Sequence, residues 1–488
     1  MENRNIKLVN KLFYWSALML SVVFMSSCKE MLIEKPKSVA AEVFYNTREE
    51  VEAAVNAIYS PLRDGTMANY IATLECQSDW MYGRGSWDPL SQYQGLNDAN
   101  ITRVAGFWNA FYLAVRNANL VIQNAPNGNA ISSEDISKLV GEAKFLRALT
   151  YFHLVRNWGA IPLRTEENMI EKDLPKSSVE QIYSLIISDL LNAEASLPDV
   201  PNAIGRPSKW AAKTLLADVY LQQERFQEAA DKAEEVILAD KYKLVGVQNR
   251  EDLQYKLFGP EILTTSEEIF YLKYSRLANQ GNYILWISNH PSTNLFNFGG
   301  AYAVHGDQTN PNFINWDNED LRKSLWDNID FGLGKNTLVS SKYVDPNAIS
   351  QNGAGNDLPI YRYAEILLIY AEASTRAGNS VNEKALEGLN QVRRRAYGLN
   401  PEVISELDIE SSIAPSEFLD LVVRERGYEF LYEGKRWHEL KRINRVAELI
   451  QTGKGKAVAD KHLLWPIPVS EMNYNKALNP ASDQNPGY

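Results

Sequence analysis

The sequence predicts an all-α protein, a scaffold of helical hairpins with long irregular loops and minor β-structure. Three observations carry this expectation. Apolar residues recur at the 3.6-residue helical period through most of the chain. No strand-helix-strand alternation is visible. Between residues 240 and 357 the helical period fades into a stretch rich in Asn, Gly, Tyr and Trp, with strand-like fragments such as residues 268–274. A composition of 45% hydrophobic and 23% charged residues is that of a globular chain.

At the start, Arg4, Lys7 and Lys11 precede an apolar run over residues 12–25. The run is too short to span a bilayer comfortably and fits the h-region of a signal peptide. Ser26, Ser27 and Cys28 follow, resembling a lipoprotein signal in which cleavage precedes a cysteine that takes the lipid. Residues 1–27 are therefore expected to be signal peptide, 28–40 the lipidated Cys28 and a tether, and 41–488 one domain. Acylated Cys28 cannot pair, so Cys76 is expected as a lone thiol in a fold without disulfides.

Thr47 with Glu50 reads as a capping box. Val51, Val55, Ile58 and Leu62 then form one apolar face, closed by Pro61 and Gly65. A second helix is expected over residues 104–123. A third follows Ser132 to Asn157, too apolar all round to lie on a surface, and ends at Gly159. Residues 179–197 and 210–238 continue the pattern. In the latter, Leu216-Ala217, Tyr220, Phe226 and Ala229 have the spacing of a tetratricopeptide hairpin. Residues 361–396 repeat it around a Gly378-Asn379 turn, and residues 418–448 form a last helical region. Hairpins are thus expected near 104–157, 179–238, 361–396 and 418–448, with ligand-binding loops near 75–100 and 240–357.

Charge and motif content exclude several functions. A net charge of −11 without a basic stripe argues against nucleic acid. The five histidines, His153, His290, His305, His438 and His462, lack metal-ligand spacing, and no metal or cofactor is expected. Asp317, Glu319 and Asp320 lack the full calcium-loop pattern and read as a solvated turn. There is no nucleophile elbow, phosphate loop or dinucleotide fingerprint; Gly332-Leu-Gly334 lacks the third glycine. Glu425, Glu429, Glu433 and Glu439 could serve an α-helical glycoside hydrolase. They alternate with Arg424, Arg426, Arg436 and Arg442 at helical spacing, which favours structural ion pairs and no catalytic residue.

The aromatics carry a positive signal. Residues 79–97 hold Trp80, Tyr82, Trp87 and Tyr93, about twice the number composition predicts. Residues 283–316 hold Tyr283, Trp286, Phe296, Phe298, Tyr302, Phe313 and Trp316, again about twice. Both stretches are polar and lack helical period. A pyranose offers an apolar C–H face to aromatic rings and a belt of hydroxyls to amides and charges. The expected ligand-binding residues are Trp80, Tyr82, Arg84, Trp87, Asp88, Asn97, Trp286, Phe298, Tyr302 and Trp316, with Asn282 and Asn289 beside Trp286.

Four segments carry a family resemblance. They are residues 141–163 (Gly-Glu-Ala-Lys-Phe-Leu-Arg-Ala-Leu-Thr-Tyr-Phe-His-Leu-Val-Arg-Asn-Trp-Gly-Ala-Ile-Pro-Leu), 361–373 with 390–396, 424–442, and the closing Leu464-Trp-Pro-Ile-Pro with Asn485-Pro-Gly-Tyr488. In this order they resemble the SusD/RagB family, departing at Gly427, where an Arg is usual, and at His438, where a Phe is usual. The resemblance implies an outer-membrane lipoprotein, exposed at the cell surface, with a tetratricopeptide-containing fold. It implies capture of oligosaccharides for a SusC-type, TonB-dependent transporter, or of peptides, as in a RagB-type relative. Family binding sites arise from the two aromatic loop regions, but their residues vary.

Overall fold

The structure, a computed structural model, describes residues 44–293, 303–330 and 332–488. Helix α1 (Arg48–Arg63) opens with the expected capping box. Glu50 N donates to Thr47 Oγ1 and Thr47 N donates to Glu50 Oε2. The helix runs through Pro61 rather than closing there. Proline leaves the carbonyl four residues back without its donor, and Asn117 Nδ2 supplies one to Ala57 O at 2.8 Å.

Helix α2 (Thr66–Cys76) follows, and periodicity did not predict it because it is buried on nearly every face. Helix α3 (Asp98–Asn124) starts six residues before the expected point, capped by Asn97, whose side chain accepts from Asn100 N at 3.0 Å. Helix α4 (Ser133–Trp158) has the predicted Ser132 cap and ends at Gly159, whose φ of 70° suits a residue without Cβ. Helices α5 (Val179–Ser196), α6 (Lys209–Gln222) and α7 (Phe226–Leu238) complete the first half.

Short strands cross the middle of the chain. Strand β1 (Tyr82–Gly83) pairs antiparallel with β5 (Val304–Asp307), Tyr82 opposite His305. Strands β2 (Ile161–Pro162) and β3 (Lys176–Ser177) pair with each other. Strand β4 (Glu268–Leu272), inside the expected fragment, pairs antiparallel with β8 (Leu358–Arg362). Strands β6 (Trp326–Asn328) and β7 (Thr337–Ser340) extend the first sheet to the order β1-β5-β7-β6. Helix α8 (Ile284–Ser288) lies against α2 and β5.

The second half returns to hairpins. Helices α9 (Tyr363–Gly378) and α10 (Glu383–Ala396) turn at Asn379, which is left-handed. The last helical region breaks into α11 (Pro415–Glu429), α12 (Arg436–Arg442) and α13 (Val446–Lys454), with left-handed Tyr432, Gly434 and Asn444 between them. Neighbours pack in series: α1 on α3, then α4, α5, α6, α7, α9, and α10 and α11 on α9. The protein is a mainly helical scaffold with small sheets.

The charged pattern of the closing helices is an internal cross-link, as expected. Arg362, buried on β8, bonds Glu267 and Glu433 at 2.8 Å each and also contacts Glu429. Glu429 also pairs with Arg322 and Arg395, and Glu439 with Arg426 and Arg436. Although burial pushes the Glu429 carboxyl up, Arg362, Arg395 and Arg322 hold it well below the usual carboxylate range.

Candidate aromatic face

The segment expected as a loop over residues 75–100 is pinned at both ends. Arg436, on α12, holds Asp79 by two 2.8 Å bonds. Tyr93 adopts a φ of 53° and donates its hydroxyl to Gln77 O at 2.6 Å. Between these anchors the chain folds into short helical turns, with Gly83 N donating to Ser91 Oγ.

Three of the five expected platforms among the described residues are buried. Trp80 and Trp316 are 5% and 2% exposed and meet edge to face, centroids 5.4 Å apart. Trp316 stacks on Tyr428 of α11 at 4.5 Å and donates Nε1 to Asp320 Oδ2. Asp320 is itself paired with Arg322, so part of the acidic turn is structural rather than solvated. Trp87 is 4% exposed, with the Arg103 guanidinium 3.9 Å above its ring. These three indoles are core residues, against the expectation of free rings, because partners distant in sequence cover them. Asn97 is a helix cap, and Asp88 Oδ1 accepts from Gln92 Nε2. Asn282 is buried, donating to Asn356 O and accepting from Ile284 N; Asn289 Oδ1 accepts from His290 N. Phe298, Tyr302 and Cys28 lie outside the described residues.

Tyr82, Arg84 and Trp286 remain accessible. Arg84 N donates to Ala303 O at 2.9 Å, and Ala303 N donates to Ile287 O at 3.2 Å. This ladder sets β1, residue 303 and α8 side by side. Trp286 and Tyr283, both half-buried, lie 4.8 Å apart with planes tilted by 32°. Tyr82 stacks on His305 at 5.8 Å and 25°, and Lys454 Nζ sits 5.2 Å from its ring. Burial first, and then the Arg84 charge, hold His290 below the usual imidazole range. Burial does the same to His305, so both rings are neutral near pH 7. Sequence reasoning missed His305, His290 and Lys454 as neighbours of the face. His305 arrives through the β1–β5 pairing, which no local pattern reveals.

The arrangement offers apolar ring faces and polar and cationic groups on a fixed backbone. Comparison with known proteins places the scaffold. A model described as "SusD family" matches residues 290–488, and one described as "Starch-binding associating with outer membrane" matches residues 31–221. SusD-like protein P25 of Formosa agariphila is 25% identical, across 95% of this chain and 97% of its own. A SusD homolog from Bacteroides thetaiotaomicron superimposes with a TM-score of 0.78 at 21% identity, covering 92% of this chain and 98% of its own. Surface glycan-binding protein A from the same organism, in complex with laminarihexaose, gives 0.74 at 19%, covering 90% and 100%. The two family matches take in both halves of the helical scaffold and all of the motif segments, and the chain belongs to the SusD/RagB family.

Proposed function

We propose that this protein is a non-catalytic glycan-binding lipoprotein of the cell surface. It is anchored in the outer membrane through lipid on Cys28, and passes captured oligosaccharides to a SusC-type, TonB-dependent transporter. The observation that carries the reading is the half-exposed Tyr283–Trp286 pair beside Tyr82 and Arg84. The structural relative bound to laminarihexaose supports it by family. A hydrolase is disfavoured because Glu425, Glu429, Glu433 and Glu439 are buried in ion pairs with Arg and Lys side chains. Peptide capture by strand addition is disfavoured because β1, at the sheet edge beside the face, is two residues long.

The test is Trp286→Ala. Covering about 60–100 Å² of ring with a sugar face is worth roughly 1.5–3 kcal/mol, so affinity should fall about ten- to a hundredfold. The melting temperature should barely move. Calorimetric titration with glycans selected on an array, beside a melting curve, measures both; unchanged affinity would remove the face from the site.

A further inference from the structure

Tyr283 has a second neighbour besides Trp286. It lines a cavity of about 520 Å³ between the end of α1, the start of α2 and the 274–283 loop. That volume lies within the range of small-molecule sites, about 300–1,000 Å³. We propose that this cavity is a second carbohydrate subsite, which takes further units of a neutral oligosaccharide whose first units lie on Trp286. The inference rests on the glycan-binding reading above.

Its wall has the chemistry of a sugar site. Asn56, Asn69, Asn279, Gln280 and Asn352 are neutral amides, each both donor and acceptor. Asn69 Nδ2 is spent on Gly65 O, leaving its carbonyl oxygen as an acceptor. Asn56 Oδ1 accepts from Arg206, leaving its amide hydrogens as donors. Tyr59 and Tyr274 are fixed by hydroxyl bonds to Glu142 Oε1 and Arg63 O, so their rings form rigid walls. Arg63 lies 4.9 Å from the Tyr274 ring, and its Nε is buried without a hydrogen-bond partner among the described residues.

Charge selects the class of ligand. One residue of each sign, Arg63 and Asp64, lies on the wall, so the cavity has no net field for an anion. The chain's charge of −11 repels polyanionic glycans as a whole. The cavity floor is also preformed. Asn282 N donates to Ala354 O at 2.8 Å, and Ala354 N returns a bond to Asn282 O. Gly281 approaches Gly353 so closely that a Cβ would lie 2.3 Å from the Gly353 Cα. A site that needs no ordering loses less affinity to entropy.

The experiment titrates the full-length protein, in a non-glycosidic detergent, with short and long laminari-, malto-, xylo- and manno-oligosaccharides and with sulfated and uronate ladders. Ser60→Trp fills the cavity from an exposed position, and the pair Asn69→Ala with Gln280→Ala strips two of its amides. The parent should bind long neutral members about tenfold more tightly than short ones, the size of effect one or two added hydrogen-bonded contacts give. Each cavity variant should erase that gain and leave short-member affinity unchanged, while Trp286→Ala weakens every length. If the cavity variants retain the gain while Trp286→Ala weakens binding, the subsite is overturned and the glycan reading stands. A preference for sulfated or uronate members would overturn the neutral class. If no ladder binds, the glycan reading fails and takes the subsite with it.

Discussion

Glu75 is 1% exposed and accepts from Gly434 N at 3.0 Å. Burial, only partly offset by the Gly434 amide and Lys342, pushes its pKa up to about 7. The folded state therefore holds this proton more tightly than the unfolded chain. The resulting stability is fully present below pH of about 4.5 and is lost as pH rises through about 7. Glu75→Gln keeps the acceptor and removes the charge. It should leave the melting temperature nearly unchanged at pH 5 and raise stability by about 1–3 kcal/mol at pH 8; equal effects at both pH values in calorimetry would refute the assignment. Trp87 makes the contrasting case to Trp286. Both are tryptophans in polar, aperiodic sequence, yet Trp87 lies under Arg103 with almost no exposed surface. Trp87→Ala should cost about 3–5 kcal/mol of fold stability, read as a large drop in melting temperature. A melting curve like the parent's would mean the ring contributes nothing to the core.

Between α11 and α12, the connector carries the charge that joins the helices to the sheet. Glu433 bonds Lys342, just beyond β7, and Arg362 on β8. Burial alone would raise its pKa, but Arg362 and Lys342 hold the carboxyl below the usual range. Glu433→Gln leaves those cations short of a counter-charge and should destabilise the fold by about 3 kcal/mol or more. Glycan affinity should not change, since Glu433 is buried away from the aromatic face; a stable variant with lost binding would contradict this. Elements of this kind were partly legible in the sequence. The capping box at Thr47, the single apolar face of α1 and the wide one of α4 are local signals, and the helices they mark were expected. Helix α2 gave no such signal, since burial on all sides removes the polar stripe that makes a period visible. At Pro61 the local rule failed because Asn117, on another helix, satisfies the freed carbonyl. The site was less legible than the scaffold. Composition located both aromatic stretches, but whether an indole faces ligand or core depends on distant partners such as Tyr428 over Trp316.

At the scale of the whole molecule, the function proposed above places the protein at the outer membrane without a spanning helix in the described body. No helix among the described residues is long and apolar enough to cross a bilayer. On the proposed reading, retention comes from the first 43 residues, where the 12–25 apolar run is expected to leave with the signal peptide. On the lipoprotein reading proposed above, Cys28 carries the anchor. Each buried methylene of an acyl chain contributes about 0.8 kcal/mol, and two or more chains hold a protein stably where one does not. Cys28→Ala should therefore move nearly all of the protein from the membrane to the soluble fraction. Membranes washed with high salt and alkaline carbonate, probed by immunoblot, separate lipid anchorage from docking on a transporter, because the wash strips protein-held material. The size of the blotted band reports signal cleavage. Release with the signal still attached would point to misprocessing, and firm retention of the cleaved variant through the wash would rule out Cys28 as the anchor.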